Sequence, residues 1–281
     1  MDRSPDEGDV MVNPRFTLSF QAPKLPFFLP ATGPQAGMWD VLDIGLDPEH
    51  LAQVPTDVEL IGKQEILQMY RPRPEYAHKG MFGHSLIIGG SYGKMGAMVL
   101  ATKAAMRAGS GLVTGYVPQL GVPILQSAVP EVMAETDNFN GKVFEEIDFQ
   151  TVANAIGIGP GMGTDPKTAI AFEKFLKTQK SPIVIDADAI NIIGENPKLL
   201  ADLPSMSILT PHFGELYRLI GEWKDDFDRL EKTAKFAKKH DIIIVMKGAN
   251  TITTYNMKLY INESGNPGLA TAGTGLSLIH I

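Results

Sequence analysis

The chain has 281 residues, enough for one large α/β domain or one domain with a piece of another, and either buries a core without covalent staples. It holds no cysteine, which excludes a disulfide framework, a thiolate nucleophile and a Cys-based zinc site. Lys and Arg number 25 against 32 Asp and Glu, a net charge of −7, which argues against a nucleic-acid or anionic-membrane surface, while small anions held by backbone amides stay open.

No apolar run approaches the roughly 18 residues of a membrane span. The opening MDRSPDEGDV is acidic, unlike the basic-then-apolar secretory signal, so a soluble cytoplasmic protein is expected. Residues 16–20 (FTLSF) and 38–44 (MWDVLDI) predict strands joined by a loop carrying Pro23, Pro26, Pro30 and Pro34. Two strands make no core alone. The extended RPRPEYAHK (71–79) suits a lead-in, and a boundary near residues 56–70 leaves a short N-terminal piece, 1–55, ahead of a long body, 56–281.

From His84 onward apolar runs alternate with helical periodicity, which predicts βαβ units and a mostly parallel sheet. Ser85–Ile88 reads as the body's first strand. Ala97–Ala108 follows as a helix with a thin alanine face (Ala97, Ala101, Ala104, Ala105, Ala108) closed by Gly109. Strands are expected at Leu112–Val117, Ala155–Ile158, Pro182–Ile185, Ser207–Leu209 and Ile242–Val245. Helices are expected at 166–178, Gly214–Ile220 and near 225–239, and residues 251–262 predict a hairpin turning at Asn256-Met257.

Ligands of open α/β sheets sit at the carboxyl ends of the strands. Several of those ends are glycine-rich: Gly89-Gly90-Ser91-Tyr92-Gly93-Lys94-Met95-Gly96, Gly159-Pro160-Gly161-Met162-Gly163, Met246-Lys247-Gly248-Ala249-Asn250-Thr251 and the closing Gly273-Thr274-Gly275. Each alone is as well served as a tight turn into a helix. Together on one sheet edge they favour a nucleotide site. The Walker pattern fails because Ile88 and Met95 stand where Gly and Ser or Thr belong, and no Gly-x-Gly-x-x-Gly opens the first helix. Gly89-Gly90-Ser91-Tyr92-Gly93 matches a nucleophile elbow, with Asp186 or Asp188 and then His212 in hydrolase order, but it follows the first strand of the body and lacks an oxyanion loop.

Among polar residues, Asp186 and Asp188 could hold Mg²⁺ or take a proton, or else one caps a turn while the other is solvated. Thr210 is expected as an N-cap with Pro211 at N1 and Glu215 in the first turn, which does not explain His212; a lone histidine is more often structural, yet this one falls on the expected ligand edge. Lys247 would meet phosphate or reach solvent.

His78-Lys79-Gly80, Phe82-Gly83-His84, Gly89 to Ala97, Gly159 to Gly163, Asp186-Ala187-Asp188-Ala189, Thr210 to Glu215, Lys247 to Thr251 and Gly265 to Gly275 together resemble the ADP/ATP-dependent NAD(P)H-hydrate dehydratase family over about residues 60–275. The resemblance implies a ribokinase-like three-layer α/β/α fold with its last helices missing. It also implies a repair reaction: the 6-hydroxyl of hydrated NADH or NADPH is phosphorylated from ADP or ATP, and phosphate then leaves to restore the dihydronicotinamide. Carried onto this chain, Ala97, Gly161, Gly163 and His212 would meet the hydrated nucleotide, and Lys247, Gly248, Ala249, Asn250, Thr251 and Gly275 the adenine nucleotide. Phosphoryl transfer needs amide cradles and a cation, so Mg²⁺ is expected as well, its ligands unassigned. The family often forms homo-oligomers. A small-alcohol kinase on the same fold, the Ser91 hydrolase and a non-catalytic nucleotide binder are the other readings.

Phe16 to Lys24 and Val41 to Leu46 resemble the closing strands of the NAD(P)H-hydrate epimerase domain, so residues 1–55 are expected to be a remnant of that domain without epimerase activity. The family's Gly-Thr-Gly is followed by an aspartate that acts as base, then by a helix forming the anion hole. Here Leu276 takes the aspartate's place, so no catalytic residue is assigned. Leu276 to Ile281 is expected to be adapter or out-of-frame sequence of an incomplete gene, leaving an impaired enzyme.

Overall fold

The computed structural model describes residues 9–266 and 268, apart from 138 and 140; the expectations for Gly275 and Leu276 lie outside the described residues. In chain order the elements are β1 (Phe16–Phe20), β2 (Met38–Leu42), α1 (Pro48–Gln53), β3 (Val58–Ile61), α2 (Lys63–Met69), β4 (His84–Ile88), α3 (Met95–Ala108), β5 (Leu112–Tyr116), α4 (Gly121–Ala128) and β6 (Met133–Glu135). They continue with β7 (Ala155–Ile158), α5 (Pro166–Thr178), β8 (Val184–Ile185), α6 (Asp188–Glu195), β9 (Ile208–Leu209), α7 (Phe213–Ile220), α8 (Asp226–His240), β10 (Ile243–Met246), β11 (Thr251–Tyr255) and β12 (Lys258–Asn262). None of the helices among the described residues is long and apolar enough to cross a membrane.

Ten strands form one sheet in the order β3-β12-β11-β10-β9-β8-β7-β4-β5-β6. All neighbours are parallel except β10–β11 and β11–β12. Alternation along β4 separates the core into two layers. Leu86 and Ile88 join a cluster with α5, α6, α7 and α8, whereas Ile87 joins Met95, Met98, Ala101 and Ala105 of α3 and Leu125 of α4. Helices thus cover both faces, giving the expected three layers.

Most expected elements form. Asp165 caps α5 by accepting from Lys167 N at 2.9 Å with Pro166 at its first position, and Asn256 and Met257 take φ of +46° and +68° in the β11–β12 turn. Three expectations need correction. The body's first strand is β3 rather than Ser85–Ile88, because the short Val-Glu-Leu-Ile run finds a parallel partner in β12, two hundred residues away in the chain. The buried stripe of α3 is Met95, Met98, Ala101, Thr102 and Ala105, with Ala108 exposed, so two methionines rather than alanines alone fill the gap to the sheet. The expected Pro182–Ile185 strand contracts to two residues.

The N-terminal strands β1 and β2 pair in parallel as a separate two-stranded sheet. The Pro-rich loop between them packs inward: Phe28 and Leu29 belong to the main core cluster, and Trp39 of β2 stacks near Phe27 and Phe28 at centroid distances of 5.5 and 5.6 Å.

Candidate active site

The strand order reverses between β4 and β7: β5 follows β4 on one side, and β8, β9 and β10 extend the other. A crevice opens at the carboxyl ends of strands around such a point. Two expected glycine turns meet there, with Gly90 N–H donating to Pro160 O at 2.8 Å. Gly161 has φ +62°, and a Cβ on it would lie 2.7 Å from Lys94 O and 3.0 Å from Ala97 Cβ, so only glycine lets this turn close against the start of α3. Ala97 and Gly161 are therefore neighbours. Gly163 N–H donates to Asp188 Oδ2 at 2.9 Å, and Lys94 Nζ pairs with the same oxygen at 3.2 Å. Ser91 is buried, and its Oγ donates to Gly161 O at 2.8 Å, so its hydroxyl ties the two turns together instead of facing a base.

Asp186, at the end of β8, is neither a cap nor solvated, which corrects the structural alternative for it. Its side chain is 1% exposed, receives Lys247 Nζ at 2.5 Å and the Thr210 hydroxyl at 2.7 Å, and keeps Oδ2 without a partner. Lys247 accordingly points inward, its side chain 16% exposed, rather than into solvent. Between the two carboxylates Ala187 takes φ +51°, a rare backbone state for a residue with a Cβ. In an extended strand residues two apart share a face. That turn lets Asp186 face Lys247 while Asp188 reaches Gly163.

The α7 cap differs from expectation. His212, not Thr210, is the N-cap: Nδ1 accepts from Gly214 N at 3.0 Å and Glu215 N at 3.2 Å, while Glu215 Oε2 accepts from His212 N at 2.9 Å. Thr210 is unavailable because its hydroxyl is committed to Asp186. His212 Nε2 lies 3.3 Å from Glu215 Oε1, and its side chain stays 58% exposed on the crevice edge. Burial pushes the Glu215 carboxyl up, against the lowering pull of the His212 amide, Lys247 and the His212 ring.

Beyond β10, Lys247, Gly248, Ala249 and Asn250 line a cavity of about 380 Å³, and Thr251 opens β11 behind it. The opposite wall comes from the N-terminal loop, chiefly Phe27, Phe28 and Pro34, which sequence reading left as a connector. Asn250 Nδ2 donates to Phe28 O at 3.0 Å, joining the walls. Of the residues expected to meet the hydrated nucleotide, Ala97, Gly161 and Gly163 stand together and His212 stands two strands along the same edge, with Lys247 to Asn250, expected to meet the adenine nucleotide, one strand further. A chain of polar contacts from Asp188 through Asn191 and Arg218 to Gly214 connects the first group with His212. Missed by sequence reading were the buried pairing of Asp186 and the aromatic wall; the apolar run Leu25-Pro26-Phe27-Phe28-Leu29 was the available signal for the wall.

Among the described residues no group of three or more His, Asp or Glu is placed to hold a metal. Mg²⁺ keeps several waters and phosphate oxygens in its shell and needs only one or two carboxylates. The unpartnered Asp186 Oδ2 and the buried Glu215 carboxyl fit that need as hard oxygen donors.

Residues 85–278 match the family model described as NAD(P)H-hydrate dehydratase, which is more than half of the chain. The chain belongs to the NAD(P)H-hydrate dehydratase family. Among curated relatives, the bifunctional NAD(P)H-hydrate repair enzyme of Coxiella burnetii is 34% identical over 96% of this chain and 55% of its own length. The ADP-dependent (S)-NAD(P)H-hydrate dehydratase of Neisseria meningitidis is 36% identical over 74% of this chain and 70% of its own. The chain spans about half the length of the bifunctional relatives it matches. Among solved structures, the ADP/ATP-dependent NAD(P)H-hydrate dehydratase of Bacillus subtilis, co-crystallized with ATP/Mg²⁺, matches with TM-score 0.64 and 26% identity over 80% of each chain. A ribokinase-like superfamily protein of Enterococcus faecalis matches with TM-score 0.67 and 25% identity, covering 81% of this chain and 79% of its own. The family fold is therefore ribokinase-like, as expected.

Proposed function

We propose that the site serves ADP- or ATP-dependent dehydration of hydrated NADH or NADPH, restoring the dihydronicotinamide. The observation that carries this reading is the placement of the substrate set (Ala97, Gly161, Gly163, His212) and the nucleotide set (Lys247, Gly248, Ala249, Asn250, Thr251) along one sheet edge of a family member. The close Gly161–Ala97 approach would let the hydrated ring lie against the turn, and the exposed His212 edge would offer it a polar contact. Lys247, released from Asp186, would neutralise charge on the transferred phosphoryl group. When bound, Mg²⁺ would supply further charge neutralisation of the phosphates, held by Asp186 Oδ2 and Glu215. Gly275, outside the described residues, completes the proposed nucleotide set.

The hydroxyl oxygen of the hydrated carbon attacks the terminal phosphorus of ADP or ATP, releasing AMP or ADP and the hydroxyl proton. The C–O bond then breaks, phosphate leaves with the electron pair, and loss of a ring proton restores the double bond. Leu276 has no proton acceptor, and lacking a general base lowers turnover by about 10²- to 10⁴-fold. Residues 1–55 are read as a remnant of the epimerase domain, supported by bifunctional relatives that match 92% and 96% of this chain. Homo-oligomerisation and a cytoplasmic setting belong to the same proposal.

The test is to incubate hydrated NADH with ADP or ATP and follow recovery of dihydronicotinamide absorbance, comparing this chain with Leu276→Asp. Slow nucleotide-dependent recovery that Leu276→Asp accelerates supports the reading. A stable phosphorylated product would replace it with a kinase, and fluorophosphonate labelling of Ser91 with a hydrolase.

A further inference from the structure

We infer that the N-terminal loop between β1 and β2 forms one wall of the nucleotide site and that Phe27 stacks on the base of the bound purine nucleotide. The inference rests on the proposed nucleotide role of Lys247 to Asn250 and adds a binding residue from outside the matched family region, which begins at residue 85. Four observations carry it. The cavity of about 380 Å³ has Lys247 and its glycine turn at one side and the half-buried Phe27 at the other, so a phosphate-binding cation and an aromatic face share one space. The wall is fixed rather than loosely laid down: Asn250 Nδ2 donates to Phe28 O at 3.0 Å, and Ala31 N donates to Asp226 Oδ2 at 3.0 Å.

Asp226 in turn pairs with Arg229 at 2.9 Å, both side chains buried, and the Arg229 guanidinium lies 4.5 Å above the Phe213 ring. Arg229 lines the same cavity, is 4% exposed, and its Nε–H lacks a partner. A buried donor left unpaired is costly, and a ligand with an acceptor atom satisfies it. A purine offers both things the cavity lacks: a flat π surface for Phe27 and ring nitrogens that accept hydrogen bonds. Stacking of this kind tolerates different bases because every base has a π face.

Trp39 contacts both Phe27 and Phe28, so it reports on the wall, and Trp223→Phe removes the other tryptophan. In that background, ADP and adenosine are expected to change Trp39 emission, whereas ribose 5-phosphate and inorganic pyrophosphate are not. Calorimetry should show Phe27→Ala weakening ADP about tenfold with pyrophosphate binding unchanged, and Phe27→Tyr close to the parent. Thermal unfolding of each variant separates lost stacking from lost folding: if Phe27→Ala is unstable, the inference is judged on Trp39 emission and Phe27→Tyr alone. ADP binding that leaves Trp39 emission unchanged, with Phe27→Ala equal to the parent where it folds, would overturn the aromatic wall and leave the nucleotide site standing. No binding of ADP or ATP to any variant would overturn both.

Discussion

Replacing Asp186 by Ala removes a carboxylate that is 1% exposed and leaves the Lys247 ammonium and the Thr210 hydroxyl without their acceptor. At the 2.5 Å separation the raw attraction is about 6–7 kcal/mol at an effective dielectric near 20. Desolvating the two ions offsets several kcal/mol of that, and breaking a fully buried pair from one side costs about 3–5 kcal/mol. Lys247 keeps 16% of its side chain in water, which relieves part of the burden, so the expected loss is about 2–4 kcal/mol. Lys247→Met should cost at least as much on its own, because it strands the carboxylate that is only 1% exposed. The double variant Asp186→Ala, Lys247→Met should recover about 2 kcal/mol relative to the sum of the singles. Urea unfolding of the four proteins measures the cycle, with midpoints compared at a common slope. Additivity within about 0.5 kcal/mol would show that the pair is not coupled and that Lys247 is held by other groups.

His212→Ala should lower stability by about 1 kcal/mol through loss of the α7 cap, whereas His212→Asn should restore the cap yet still weaken hydrated NADH binding; equal melting temperatures for parent and both variants would remove the capping role. Gly161→Ala forces a Cβ into φ +62° and against Lys94 O, which costs at least about 1–2 kcal/mol, and it should impair hydrated NADH binding more than ADP binding, measured by calorimetry with each ligand. Burial raises the Tyr116 phenol from 10.0 to about 12, outweighing the Asp148 amide that lowers it. Because the folded value lies above the unfolded one, this stabilisation is complete below pH 10 and is lost as pH rises through about 12. Tyrosinate absorbance should show one phenol ionising last, and Tyr116→Phe should flatten the alkaline fall in stability.

Legibility in the sequence tracked how local each cause was. The β11–β12 hairpin was readable because alternation and its turn lie within one short stretch, and α5 because Asp165 and Pro166 mark its start. Failure came where a distant partner decided the outcome. Thr210 looked like the better cap until Asp186, 24 residues earlier, claimed its hydroxyl, which left the role to His212. Lys247 looked free until its partner 61 residues away was in place. The edge strand β3 needed β12 to exist, and the Phe27–Phe28 wall needed the turn after β10 to face. In each case the sequence shows a residue's capacity, while the fold chooses which capacity is used.

Ala187 gives the site its internal leverage. One alanine with a positive φ stands between a carboxylate paired with Lys247 and one that accepts from Gly163 N–H. Its backbone is also held by Ala189 N–H donating to Asp186 O at 3.2 Å and Asn191 N–H donating to Ala187 O at 3.1 Å. The two contacts therefore share one turn, so a substitution at Ala187 that removes its positive φ should disturb the Asp186–Lys247 pair and the Asp188–Gly163 bond together.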